Sequence, residues 1–349
     1  MEGMGNLSPD DFYRLRFVSD PQASGGRVAF VSSAPDRKAD DYSSSIWVHD
    51  GRARRFTRGG KDSMPRWSPG GRSLAFVSRD VQSKKSRLMV MPSDGGEAEE
   101  ICSFEGEIDS LLWSPDGRRL FFIGTARRGE EIKRFGRYPF YFNAKGFLHD
   151  RESHLYGVNL AGRVRHITSG ALTVNSFDIV PGRDLLILSI RRDEWDVYTS
   201  ALFSCTTGGR ELKMLTPSPS SQASPAVSPE GRTIAFIHRS AGSPLYTHHR
   251  VAFIPVGGGE PAVSSGSDLN AGNGLNSDSR VTAGNELKWA ADGSAVYYLS
   301  TEAPDCSIYR CDATSLKCSR ALGGIGSIDS FDLVEGGFCI HTADFNHPC

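Results

Sequence analysis

No stretch of this chain is apolar for the length of a membrane span. Its opening, Met1-Glu2-Gly3-Met4-Gly5-Asn6, has neither the basic residues nor the apolar core of a secretory signal. An excess of one charge is also lacking: 40 Lys and Arg against 41 Asp and Glu leave a net charge of −1. That balance predicts no nucleic-acid partner and no membrane surface, and makes a cytoplasmic protein the expectation. No Cys-Xaa-Xaa-Cys occurs, and no cysteine has a histidine at zinc-site spacing, so neither a metal nor a cofactor is expected. Glycine-rich phosphate loops and paired carboxylates for general acid–base work are likewise not evident. The string Gly-Xaa-Ser-Xaa-Gly, whose small residues permit the strained turn that presents a nucleophilic serine, is missing. So is the alternation of strands with long amphipathic helices. No catalytic residue is therefore expected, and no activity from this chain alone.

What the chain has is a repeat. Arg66-Trp67-Ser68-Pro69-Gly70-Gly71-Arg72 runs into Leu74-Ala75-Phe76-Val77, and Leu112-Trp113-Ser114-Pro115-Asp116-Gly117-Arg118 into Leu120-Phe121-Phe122-Ile123. Val227-Ser228-Pro229-Glu230-Gly231-Arg232 and Trp289-Ala290-Ala291-Asp292-Gly293 are succeeded by similar apolar runs, and degenerate copies begin near Val18, Asp178 and Phe331. Each copy reads as a β-hairpin, because Pro presets φ at the first turn position and Gly takes the left-handed one. Copies recur at 46 residues (Trp67 to Trp113), 48 (Ile179 to Val227) and 44 (Trp289 to Leu333). A repeat of roughly 40–50 residues with four short strands is a propeller blade. The expectation is an all-β, seven-bladed β-propeller with the seventh blade incomplete. Blades are placed at about 17–61, 62–106, 107–172, 173–219, 220–280 and 281–326, with a partial one at 327–349. The apolar runs, such as Leu185–Leu188, would face neighbouring blades on both sides.

Three segments depart from the period. Residues 1–16 carry an N-cap signal, Ser8-Pro9-Asp10-Asp11, and predict a short helix from Pro9 to Leu15. The interval from Trp113 to Ile179 stretches to 66 residues; its surplus, Thr125–Asp150, begins basic and becomes aromatic. Two readings stand for it: a binding loop on a rigid scaffold, or aromatics folded back over a blade edge. The third, Ser264–Gly284, is rich in Gly, Ser and Asn and reads as a plain loop. Of the seven cysteines, five come after residue 300. Cys311 and Cys318 flank a predicted hairpin turn and could face each other; free thiols in a reducing compartment are the plain expectation.

The opening Leu7–Gln22, the string Tyr42-Ser43-Ser44-Ser45-Ile46-Trp47-Val48, Pro65-Arg66-Trp67-Ser68-Pro69, and above all Arg137–Arg151 carry a family resemblance. From Leu7 onward the chain resembles the N-terminal propeller of the prolyl-oligopeptidase-like serine peptidases, in the acylaminoacyl-peptidase branch. In that family a C-terminal α/β-hydrolase domain holds the catalytic triad, and the propeller sits over it as a lid. The resemblance implies a non-catalytic propeller that gates and positions short peptides for a hydrolase domain not contained in this chain. It also implies that the surface offered to hydrolase or substrate is formed by Phe12, Tyr13 and Leu15 with Arg134, Arg137, Tyr138, Phe140 and Phe142. The sequence stops at Cys349, one hairpin into its seventh unit, so a fragment, or strands supplied from elsewhere, is expected; an oligomer is left open. The alternative is a free-standing WD40-like or TolB-like propeller serving as a protein-interaction scaffold. An enzyme with its site in the propeller channel would need clustered carboxylates on the inner strands, which read mostly apolar.

Overall fold

The computed structural model describes residues 8–127, 141–142, 146–147, 151–192, 195, 197–244, 246–275 and 286–343. Six four-stranded antiparallel sheets succeed one another in strict chain order, starting with the inner strands Phe17–Ser24, Asp62–Trp67, Glu107–Trp113, Leu172–Ile179, Ser221–Val227 and Lys288–Trp289. First strands of neighbouring sheets touch, which puts them at the hub of a propeller. Six complete blades are present, not seven. After the sixth comes a two-stranded sheet, Ser327–Val334 with Gly337–Ala343, lying between the sixth blade and the first. Among the described residues the seventh unit reaches only one hairpin.

The repeated phrase builds the inner hairpin as its residues dictate. In the third blade Gly117 takes φ +67° and its N–H donates to Ser114 O at 2.8 Å. The Ser114 hydroxyl donates to Asp116 Oδ1 at 2.6 Å and accepts the Arg119 N–H at 2.9 Å, so the side chains pin the turn that the backbone closes. The same closing bond recurs at Gly71, Gly231 and Gly293.

Apolar runs with no alternation are explained by burial on both faces. One cluster joins Phe121, Ile123 and Leu155 of the third blade to Phe177, Leu186 and Phe203 of the fourth. Similar clusters fill the seams from the first blade through to the two-stranded unit. Each fully buried Leu, Ile or Phe contributes roughly 1.5–3 kcal/mol, so the seams dominate the stability.

A polar bond repeats at the hub. The Trp67 indole N–H donates to Gln22 O of the preceding blade at 3.0 Å, Trp113 to Arg66 O at 2.9 Å, and Trp289 to Ala226 O at 2.9 Å. Where tryptophan is absent the bond runs the other way. Asp178 accepts the Val227 N–H at 2.7 Å, and Asp332 accepts the Ala23 N–H at 2.6 Å.

Antiparallel order divides the molecule into two faces. Inner-hairpin and outer-hairpin turns, all short, lie on one. The other carries the loops between second and third strands and every crossing between blades. We call these the turn face and the loop face.

Candidate functional site

Every segment that departs from the blade period opens on the loop face. The N-terminal residues form a 3-10 helix, Pro9–Arg14, one residue shorter than the expected helix. Ser8 N–H donates to Asp11 Oδ2 at 2.9 Å, and this bond holds the exposed Asp11 carboxyl below the usual range. The turn rests on the first blade. Phe12 is 44% exposed and edge-on to Tyr13 (5.6 Å) and Tyr42 (6.4 Å). The Arg37 guanidinium lies 5.3 Å over the Tyr13 ring while pairing with Asp10 at 2.8 Å; Leu15 is half-buried.

The aromatic insertion joins the second and third strands of the third blade, two blades away on the same face. Arg134, Arg137, Tyr138 and Phe140 lie outside the described residues. Phe142 lies in a small hairpin, Tyr141–Phe142 against Gly146–Phe147. In it Tyr141 and Phe147 stand opposite, both exposed, with ring centroids 5.4 Å apart. The helix residues are thus brought together with Tyr42, whereas helix and hairpin are placed on one face without being joined.

Two clefts meet at the stem of that insertion. One, of about 620 Å3, is lined by Asp109, Thr125, Arg151, Arg191, Arg239 and His249, among others, from the third to fifth blades. The other, of about 880 Å3, is lined by Asp41, Lys61, Arg79, Lys85 and Glu107 and shares Thr125 and Arg151. Glu107 accepts from Arg151 and pairs with Arg79 at 3.5 Å, and Lys61 pairs with Asp41 at 2.6 Å. Thr125 donates to Asp109 and lies 2.7 Å from the Ser153 hydroxyl. Burial, and then Arg239, lower the His249 pKa, so its ring is neutral at pH 7; its Nε2 lies 3.1 Å from the Ser221 hydroxyl. Such clefts offer hydrogen bonds and charge of both signs, the needs of a peptide backbone with its termini.

The hub holds what sequence reasoning missed. Its inner strands are not uniformly apolar. Arg66 Nη1 reaches both oxygens of Asp20, at 2.9 and 2.8 Å, and Lys288 bridges Glu286 (3.4 Å) and Asp332 (3.0 Å). Burial opposes the Lys288 ammonium, but Glu286 and Asp332 outweigh it and raise its pKa; burial likewise opposes the Glu286 charge, which Lys288 and Arg66 restore. Asp178 occupies the place of Asp332 without a lysine, and burial pushes its carboxyl up to about 6 against the two backbone N–H groups it accepts. The signal was in the repeat: Arg66, Asp178, Lys288 and Asp332 each stand two residues before the turn, where Leu112 and Ala226 are apolar. Among the described residues no group of three or more His, Cys, Asp or Glu is arranged to hold a metal ion, and no helix is long and apolar enough to cross a membrane.

No family model matches the sequence. Over 132 residues, covering 36% of this chain and 20% of the relative, it is 36% identical to the uncharacterised peptidase YuxL of Bacillus subtilis. An acylaminoacyl peptidase solved with Z-Gly-Gly-Phe-chloromethyl ketone superposes with TM-score 0.72 at 20% identity, covering 93% of this chain and 49% of that one. The β-propeller domain of the Trilobed protease from Pyrococcus furiosus, described as having an open velcro topology, gives TM-score 0.67 at 18% identity over 97% and 98% of the two chains. This chain therefore spans about half the length of the acylaminoacyl peptidase it matches. In fold it is a β-propeller like those of acylaminoacyl peptidase and the Trilobed protease, and its similarity in sequence is to a peptidase, in keeping with the resemblance carried by its opening and its aromatic insertion.

Proposed function

We propose that this chain is the substrate-gating propeller of an acylaminoacyl- or dipeptidyl-peptidase-type serine peptidase, and that its loop face is the side turned toward an α/β-hydrolase domain and its peptide. The observation that carries the reading is one-sidedness. The 3-10 helix at Pro9–Arg14, the insertion after Arg127, the long crossing after Val263 and both clefts all lie on the loop face, while the turn face carries only short turns. A passive ring would have no reason to place every irregularity on one side; a lid would. Exposed aromatics there (Phe12, Tyr141, Phe147) supply rigid contact area at low entropic cost. The paired charges of the clefts supply orientation to a short peptide rather than bulk affinity.

The test is association with a hydrolase domain from an acylaminoacyl peptidase supplied in trans. Phe12→Ala and Tyr141→Ala together should weaken association by about tenfold or more, as loss of central aromatic anchors does, with the propeller's Tm unchanged. The same is expected of Tyr138→Ala and Phe140→Ala. If these substitutions mainly lower Tm, the aromatics are packing, and the lid reading fails.

A further inference from the structure

Cys311 and Cys318 are register partners in the outer strands of the sixth blade, Asp305–Asp312 and Cys318–Leu322. The Asp312 N–H donates to Lys317 O at 3.0 Å, while the Cys318 N–H points away, to Ser265 O at 2.9 Å. Theirs is thus a non-hydrogen-bonded antiparallel pair. In such a pair Cα atoms stand ~4.5 Å apart and side chains leave the sheet on the same side, within the ~4.4–6.8 Å a disulfide spans. Both side chains are buried in the seam with the fifth blade, beside Tyr298 and Val251.

The two thiols are chemically unlike. The Cys318 pKa is lowered to about 6, first by a hydrogen bond from the Cys311 thiol and then, against burial, by the hydroxyls of Tyr298 and Ser264 and the charge of Arg250. Cys311 is shifted upward by its bond to Cys318 and by burial. Elsewhere burial pushes Cys102 up to about 11, and Cys205 and Cys306 to about 12. Nucleophilic thiolate is therefore concentrated at one sulfur, and a second sulfur stands against it. That arrangement of attacking and resolving cysteine marks redox-sensitive pairs and separates them from inert buried thiols.

We propose that Cys311 and Cys318 form a dithiol that a hydroperoxide oxidises to an intramolecular disulfide, stapling the edge strand of the sixth blade to its neighbour. The Cys318 thiolate attacks the terminal peroxide oxygen. An S–O bond forms, the O–O bond breaks, and the leaving hydroxide or alkoxide takes a proton, giving a sulfenic acid at Cys318. The Cys311 sulfur then attacks Cys318 Sγ. The S–S bond forms, the S–O bond breaks, and the departing hydroxide leaves as water with the Cys311 proton. Two thiols are oxidised and one peroxide is reduced; with hydrogen peroxide the products are the disulfide and two waters. The segment bearing Ser264 and Ser265 is bonded to the same edge strand, so the staple also fixes the point where the chain crosses from the fifth blade to the sixth.

The test uses the full chain treated with hydrogen peroxide, blocked with an alkylating agent, digested without reductant and analysed by mass spectrometry. A Cys311–Cys318 cross-linked peptide is expected, disappearing on reduction. Before oxidation, Cys318 should be alkylated at pH 7 at least ~10-fold faster than Cys102, with a rate midpoint near 6. In Cys311→Ser, the sulfenic acid at Cys318 should persist and be trapped by dimedone; in Cys318→Ser, Cys311 should stay reduced. Wild-type chain with an intact far-UV spectrum that shows no Cys311–Cys318 linkage, or reacts first at another cysteine, would overturn the proposal without recourse to either variant.

Discussion

Asp332 Oδ2 accepts the Ala23 N–H at 2.6 Å, joining residues 309 positions apart in sequence. The bond repeats, at the seam between the two-stranded unit and the first blade, the contact Asp178 makes with Val227 between the fourth and fifth. Its other oxygen holds Lys288 of the sixth blade at 3.0 Å. One carboxylate thus ties three neighbouring units at the place where the ring meets itself.

Asp332→Ala leaves Lys288 short of a partner and the Ala23 N–H without its acceptor. The two charged side chains are only 16% and 17% exposed, so the cost should be about 2 kcal/mol or more. Asp332→Asn, which keeps an acceptor for Ala23, should cost less. Urea denaturation of the three proteins checks the order.

Asp178 behaves oppositely with pH. Its folded pKa, about 6, lies above the ordinary 3.8, so between those values the folded state holds a proton that the unfolded state has lost. Stability from this group therefore falls as pH rises from about 4 to 6, and the loss is complete above 6. Asp178→Asn keeps an acceptor for the Val227 N–H and removes the charge. It should stabilise the propeller at pH 7.5 by on the order of 1 kcal/mol and make little difference below pH 4. Denaturation at the two pH values decides it; equal effects at both would exclude the burial argument.

The repeat and its turns were legible in the sequence because local chemistry specifies them: Pro115, Asp116 and Gly117 need no tertiary partner to favour a turn. The pairing of Cys311 with Cys318 was legible for the same reason, through the turn they flank. The hub was not. Arg66 and Lys288 each read as one polar residue before a tryptophan, and their partners Asp20 and Asp332 come from other blades. Only closure of the ring, which no local pattern encodes, brings them together. The number of complete blades depended likewise on whether Ser327–Ala343 is joined by an outer hairpin.

Gly209, at φ +80°, closes the outer turn of the fourth blade, and a Cβ there would stand 2.4 Å from Ile167 O of the third. Gly209→Ala therefore combines left-handed strain with a backbone collision and should cost about 2 kcal/mol or more. Gly182, with φ +68° and open space around it, should lose only the conformational part. Thermal unfolding of both alanine variants separates space from conformation.

Ser221, 3.1 Å from a neutral histidine, is the hydroxyl in the clefts that most resembles an activated one. It stands on a strand, not on a nucleophile elbow. The isolated chain should therefore show no stoichiometric labelling by a fluorophosphonate and no hydrolysis of acyl-aminoacyl substrates. Labelling of Ser221 that is lost in His249→Ala would refute that.

The central claim is that the loop face is the working face. Hydrogen–deuterium exchange of the chain, alone and mixed with a hydrolase domain of an acylaminoacyl peptidase, tests it most directly. Added protection is predicted at residues 9–14, 79–85, 151–153 and 239–249, with none at the turns 68–71, 115–118 and 228–231. Protection confined to those turns, or no protection anywhere at saturating hydrolase, would contradict it.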